Sequence, residues 1–183
     1  MSTSASAKQP FPREAGSVIA RGALALSLAL GGLPAPPAAG PLVKIHEVLT
    51  GTAGYLVLHN VGAADVDLGG WSVRSCTGSP APVELALLPA GAELPAGGHF
   101  LIAAAGFGGT DAAQLVVPEV PGDGEMLLDQ RRARADAVGW TASSPCRERQ
   151  AATACPGLAE SRDAASRDTD DNLADFSCVR ARI

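Results

Sequence analysis

From residue 43 onward, apolar and polar positions alternate in short runs, and that two-residue period predicts strands rather than helices. Residues 43–48 (VKIHEV) open the series. Residues 55–60 follow, with Tyr55, Val57 and His59 on one face and Leu56 and Leu58 on the other. Asn60 ends that strand, a turn forms at 63–65, and Gly69-Gly70 lets the backbone bend before a strand at 70–75. Further strands are predicted at 83–88, 99–104, 114–117 and 125–128. A turn at 94–98 precedes the second of these, and a charged hairpin tip at 130–134 leads into a returning strand at 135–140. Residues 141–160 read as a long irregular loop, and the last strand is predicted at 175–179. Strands at close spacing, with no long 3.6-residue period and no internal repeat, indicate an all-β sandwich.

Composition shapes this picture in two ways. Hydrophobic residues make up 46% of the 183 positions and aromatics only 4%, so aliphatic side chains must fill most of the core around a few large rings. Leu68, Trp71, Phe100, Trp140 and Phe176 are the expected core positions. The 21 glycines and 14 prolines suit an all-β chain with many turns.

Residues 1–41 differ from the rest. A mildly basic start is followed by a twelve-residue apolar run, GALALSLALGGL, which is too short to span a bilayer but of signal-peptide length. No twin arginine precedes it, which points to general secretion. The expected organisation is therefore a signal peptide or leader over 1–41 and one sandwich domain over 42–183, secreted or at the cell surface. Membrane attachment would come only through an uncleaved leader. The net charge is −5, of which the first 41 residues carry +2, leaving about −7 on the body. An acidic body disfavours non-specific contact with nucleic acid or an anionic membrane, both of which need phosphate neutralisation. Arg131, Arg132 and Arg134 at the hairpin tip are read as solubilising charge.

Cys76, Cys146, Cys155 and Cys178 are even in number in a chain expected to be exported, so two disulfides are expected. Three pairings exist. The favoured one joins Cys146 to Cys155 and Cys76 to Cys178. Paired ligands at zinc-finger spacing and a C-x-x-C redox motif are both missing.

Asp168, Asp170 and Asn172 fall at i, i+2 and i+4, the spacing that begins a calcium loop. They are the calcium candidates, although Leu173 and Val179 occupy the positions that should hold the loop's glycine and bidentate glutamate. The competing reading has these side chains accept hydrogen bonds from backbone amides and from Arg162 or Arg167, closing a turn. His46, His59 and His99 all lie on predicted strands. His46-Glu47 begins like H-E-x-x-H, but Thr50 stands where the second histidine belongs. No nucleophile elbow or phosphate loop is present, so no enzyme activity and no cofactor are expected.

The segments IHEV, YLVLHNVGAADVDLGGWSV, ELPAGGHFLI, EMLLDQRRARADAVGW and SRDAASRDTDDNLADFSC, in that order over residues 43–179, resemble the lamin tail domain. That domain is the immunoglobulin-like sandwich at the end of nuclear lamins and in many exported bacterial proteins. DTDDNLADF together with DLGGW is the most specific pairing. The resemblance implies an immunoglobulin-like β-sandwich acting as a non-catalytic binding or structural module, with a protein or an extracellular polymer as partner. The DTDDN segment is implied to be a structural element of that fold. Val57 stands where the family usually carries a glutamate. The alternative function is a calcium-dependent accessory factor or a small hydrolase-associated domain built around residues 168–175.

Overall fold

The computed structural model describes residues 42–77 and 81–181, all within the unit Pro37–Ile183. The expected leader over 1–41 lies outside them. The elements in chain order are β1 (Val43–Leu49), β2 (Tyr55–Asn60), β3 (Val66–Asp67), β4 (Ser72–Ser75), β5 (Val83–Leu87), β6 (Glu93–Leu94) and β7 (His99–Ala104). They continue with β8 (Leu115–Val117), β9 (Gly124–Leu128), β10 (Arg134–Gly139), β11 (Ala159–Ser161), a single helical turn α1 (Asn172–Asp175) and β12 (Ser177–Val179). The protein is thus all-β, with strands in the order β12-β11-β1-β2-β7-β8 in one sheet, β10-β9-β4-β5 in a second and β3-β6 as a small pair. Among the described strands, only β7 and β8 run parallel.

The strand alternation explains the layering. Ile45, Leu56, Leu58, Phe100 and Ile102 from the six-stranded sheet meet Val73, Leu127 and Val138 from the four-stranded sheet in one buried cluster. Leu68, Trp71 and Phe176 lie in the same cluster, while Trp140 packs against its margin, half-buried. Both indoles keep a polar partner: Trp71 Nε1 donates to Gln130 Oε1 at 2.9 Å and Trp140 Nε1 to the Gly122 carbonyl at 2.9 Å. The opposite face of the six-stranded sheet is also covered, by a second cluster of Tyr55, Val57, Leu101, Ala103 and Ala159 with Phe107 packed against it. Every residue of β2 is therefore buried.

Asn60 ties the turns together. Its Nδ2 donates to the carbonyls of Ala64 at 2.8 Å and Leu94 at 3.0 Å, and its Oδ1 accepts from the Gly62 amide at 2.9 Å. This stitch explains β3 and β6, two-residue strands too short for alternation to reveal. Gly70 takes φ +79°, a conformation that lets the chain turn into β4 behind Leu68.

The structure corrects the favoured disulfide pairing. Cys76 bonds Cys146 and Cys155 bonds Cys178, with Cα separations of 5.9 and 5.5 Å. The reason is local. The segment after β10 folds back so closely that a Cβ on Gly139 would lie 2.8 Å from the Arg147 amide nitrogen and from Ser144 Oγ. That return carries Cys146 to the end of β4, where Cys76 sits. Cys155 instead lies beside the β11–β12 pair, in which Glu160 is the register partner of Cys178. Two disulfides are compatible with an extracellular protein.

Candidate functional site

Two constellations of polar side chains gather around a single irregularity in β1. The β1–β2 register runs Ile45 against Leu58 and then Glu47 against Val57, so His46 is an extra residue, a β-bulge. A bulge breaks the ladder and re-aims side chains. The backbone groups of Ile45 find other partners: its amide donates to Asp136 Oδ2 at 2.6 Å and its carbonyl accepts from Arg162 Nε at 3.1 Å.

That exchange builds the first constellation. Arg162 Nη2 donates to Asp136 Oδ1 at 3.0 Å, and Nη1 donates to Asp175 Oδ2 at 3.0 Å, to Asp168 Oδ1 at 3.3 Å and to the Arg167 carbonyl at 2.8 Å. The guanidinium lies 4.4 Å from the centre of the Phe176 ring. Lys44 adds a second cation, 2.6 Å from Asp168 Oδ2, and Glu148 lies 3.8 Å from Arg162. Carboxylates outnumber cations in this enclosed space, and their proton affinities respond. Burial pushes the Asp136 carboxyl up to about 6, with Arg162 pulling against it. Burial, then repulsion from Asp136 and Asp168, pushes Glu148 up to about 7. Burial alone would raise Asp168 as well, but the Lys44 hydrogen bond, the Asp170 amide and Arg162 together hold it below its usual range.

The calcium candidates belong to this network. Asp168 is spent on Lys44, Arg162 and the Asp170 amide. Asp170 is exposed, at φ 54°. Asn172 is fully buried: its Oδ1 accepts from the amides of Gly139 (3.0 Å) and Glu148 (2.9 Å), and its Nδ2 donates to the Ala137 carbonyl (3.0 Å) and Glu148 Oε2 (3.1 Å). Two donors and two accepted bonds exhaust a carboxamide, so its oxygen has no lone pair to offer an ion. Arg162 supplies the positive charge where Asp136, Glu148 and Asp168 approach one another.

The second constellation lies on the outer face of the six-stranded sheet. His59 and His99 are direct register partners on β2 and β7, and their rings stack 4.4 Å apart. The bulge brings His46 to them, with ring centres 5.8 Å from His59 and 5.3 Å from His99. One ring nitrogen from each lies within 4.8 Å of the others. Ser166 Oγ sits 2.8 Å from Nδ1 of both His46 and His59. Ser166 is itself held at φ 49°, its amide donating to the Asp163 carbonyl at 2.8 Å. His46 and His59 are buried and His99 is exposed. Burial holds the His59 imidazole below its ordinary proton affinity.

Beside His99 opens a groove of about 330 Å³. Tyr55, Val57, Leu101 and Phe107 form its apolar wall, and Asp111 and Gln114 stand among its polar lining. The Tyr55 ring meets Phe107 edge-on at 5.4 Å, and its hydroxyl donates to Glu47, fixing the back wall. Val57 contributes apolar surface here. At the other hairpin end, Arg131 and Arg132 are exposed, while Arg134 reaches Glu148 at 3.9 Å.

No protein-family model matches the chain, and no curated protein shows significant similarity to it.

The sequence reading placed the three histidines on strands but not together. Convergence depends on the bulge, and His46-Glu47-Val48 alternates as a regular strand would. The sequence offers Arg162, with Arg167, only as a hydrogen-bond donor closing a turn before the last strand. The available signal is an arginine just ahead of an aspartate-rich stretch, Asp163, Asp168, Asp170 and Asp171.

Proposed function

We propose that the domain is an exported, non-catalytic binding module of lamin-tail type, which seats a protein or an extracellular polymer on the outer face of its six-stranded sheet. The groove at Tyr55, Leu101 and Phe107 carries this reading. It is a partly open seat of mixed apolar and polar lining on the β2–β7 strand pair, and binding sites of this kind combine apolar walls with a few placed polar groups. Asp111 and Gln114 give the seat polarity suited to a basic or amide-bearing neighbour of an apolar side chain. The order of the sequence blocks supports the lamin-tail assignment and an immunoglobulin-like topology. The two disulfides support export. The Arg162 network supports a structural rather than metal-dependent role for the DTDDN segment, because Asp168 and Asn172 are engaged within the fold.

The test is capture from culture supernatant and cell-envelope fractions on the immobilised, disulfide-intact domain, with a Phe107→Asp variant as comparison. The expected result is a partner retained by the parent and lost by the variant, with both melting cooperatively. Equal retention by both proteins would overturn the groove assignment.

A further inference from the structure

We propose that His46, His59 and His99 form a binding site for a divalent transition-metal ion of the zinc class. The chain contains three histidines, and the fold brings all three to one place from positions 13 and 40 residues apart. Two geometric devices achieve this: the direct cross-strand pairing of His59 with His99, and the bulge that inserts His46 beside them. Bulges recur where a side chain must be re-aimed for function.

The chemistry of the set selects the ion. Imidazole nitrogen suits zinc, copper and nickel, whereas calcium and magnesium take hard oxygen ligands. Three histidines on zinc leave one tetrahedral position for water or a ligand atom. Ser166 supplies the orientation that such ligands need. A hydroxyl oxygen has two lone pairs and can accept from the Nδ1–H of both His46 and His59. A hydrogen bond at one ring nitrogen fixes the tautomer and the ring plane that each histidine presents. Zinc–nitrogen bonds of about 2.0–2.1 Å place tetrahedral ligand atoms ~3.4 Å apart. The nitrogens, one from each ring and all within 4.8 Å of one another, therefore need to draw together by up to ~1.4 Å. The exposure of His99 gives an ion its route in from solvent.

Thiolate competition does not arise, because all four cysteines are in disulfides. Zinc binding measured on this chain therefore reports on the histidines or on surface carboxylates, and the experiment separates the two. Zinc chloride is titrated calorimetrically into the full, disulfide-intact chain at neutral pH, in parallel with His99→Ala, His59→Asn and a calcium competition. The expected result is one ion per chain, affinity reduced at least tenfold in His99→Ala, and no displacement by excess calcium. Cobalt(II) as a spectroscopic substitute should give the intense visible bands of a tetrahedral site in the parent and lose them in His99→Ala. His99 is exposed, so that variant folds even if His59→Asn does not. No saturable zinc heat in the parent, binding undiminished in His99→Ala, or displacement by calcium would each overturn the site.

Discussion

Arg162 donates to Asp136 at 3.0 Å between the two sheets, and neither side chain is exposed to solvent. An enclosed ion pair of this kind contributes little relative to apolar packing, yet it is costly to break, because the surviving charge stays behind without a partner. Here Asp175 would lose its cation as well, while Glu148 would keep only the longer contact to Arg134 and Asp168 would keep Lys44. Replacing Arg162 by Met keeps the volume and removes the charge. The expected loss is about 3–5 kcal/mol of unfolding free energy. Denaturant titration of the parent and Arg162→Met at the same pH measures it, and a loss under 1 kcal/mol would contradict the network's role.

The surplus of enclosed carboxylates also predicts how stability varies with pH. Folded Asp136 and Glu148 hold their protons up to about 6 and about 7, whereas in the unfolded chain they lose them near 4. Between those limits the native state binds more protons than the unfolded state, so stability falls as pH rises and the loss is complete above about 7. Burial pushes Glu125 and Glu160 in the same direction. Two groups act oppositely. The lowered affinity of His59 costs stability as pH falls below its unfolded value, and that of Asp168 does so at still lower pH. Four raised carboxyls outweigh one imidazole over the range 5 to 8. The melting temperature is therefore expected to be higher at pH 5.5 than at pH 8, and a Glu148→Gln variant should flatten the difference. Melts followed by circular dichroism at both values decide the sign.

The disulfides make a covalent prediction. Digestion without reduction should yield one peptide pair linking Cys76 to Cys146 and another linking Cys155 to Cys178, with separations of 70 and 23 residues. On the chain-entropy account these closures contribute roughly 4.4 and 3.4 kcal/mol. Removal of the pair Cys76 and Cys146 by serine substitution should therefore cost more than removal of Cys155 and Cys178, as read by the shift in denaturant midpoint.

Asn172 makes four hydrogen bonds from a fully buried side chain. Asn172→Ala strands the amides of Gly139 and Glu148 and the carbonyl of Ala137, at an expected cost of about 2–4 kcal/mol. Asn172→Asp keeps the acceptor but replaces a donor with a charge facing Glu148. It should be at least as damaging at pH 8 and partly relieved at pH 5.5. Unfolding curves at the two values test both statements.

Much of this architecture is visible in the sequence because period-two alternation is a direct consequence of burial. Leu56 and Leu58 face the inter-sheet core while Tyr55 and Val57 face the outer cluster, as their parity requires. Elements formed by tertiary stitching are less legible. β3 and β6 exist because Asn60 holds their turns together. β11 is three residues paired at the sheet margin, placed within a stretch that reads as loop up to residue 160. Helical turn α1 runs up to Asp175, where a strand was expected to open, because the Asp175 carboxylate is taken by Arg162 and Thr169. The disulfide pairing escaped for a related reason. Sequence proximity favoured Cys146 with Cys155, but the tight return of the chain over Gly139 sends the two in different directions. At the site, residue types were legible and juxtaposition was not, since a bulge leaves no mark on an alternating sequence.

The backbone of Ile45, near the start of the sandwich, is completed by a side chain 117 residues later. Until Arg162 arrives, the irregular point in β1 has a carbonyl with no donor, and Asp136 has a charge with no counterion. Such distant closures make a chain search slowly, because the entropy of joining remote segments is lost before the contacts reward it. The domain is thus built to finish late: its first strand stays incomplete until the segment beyond β11 docks.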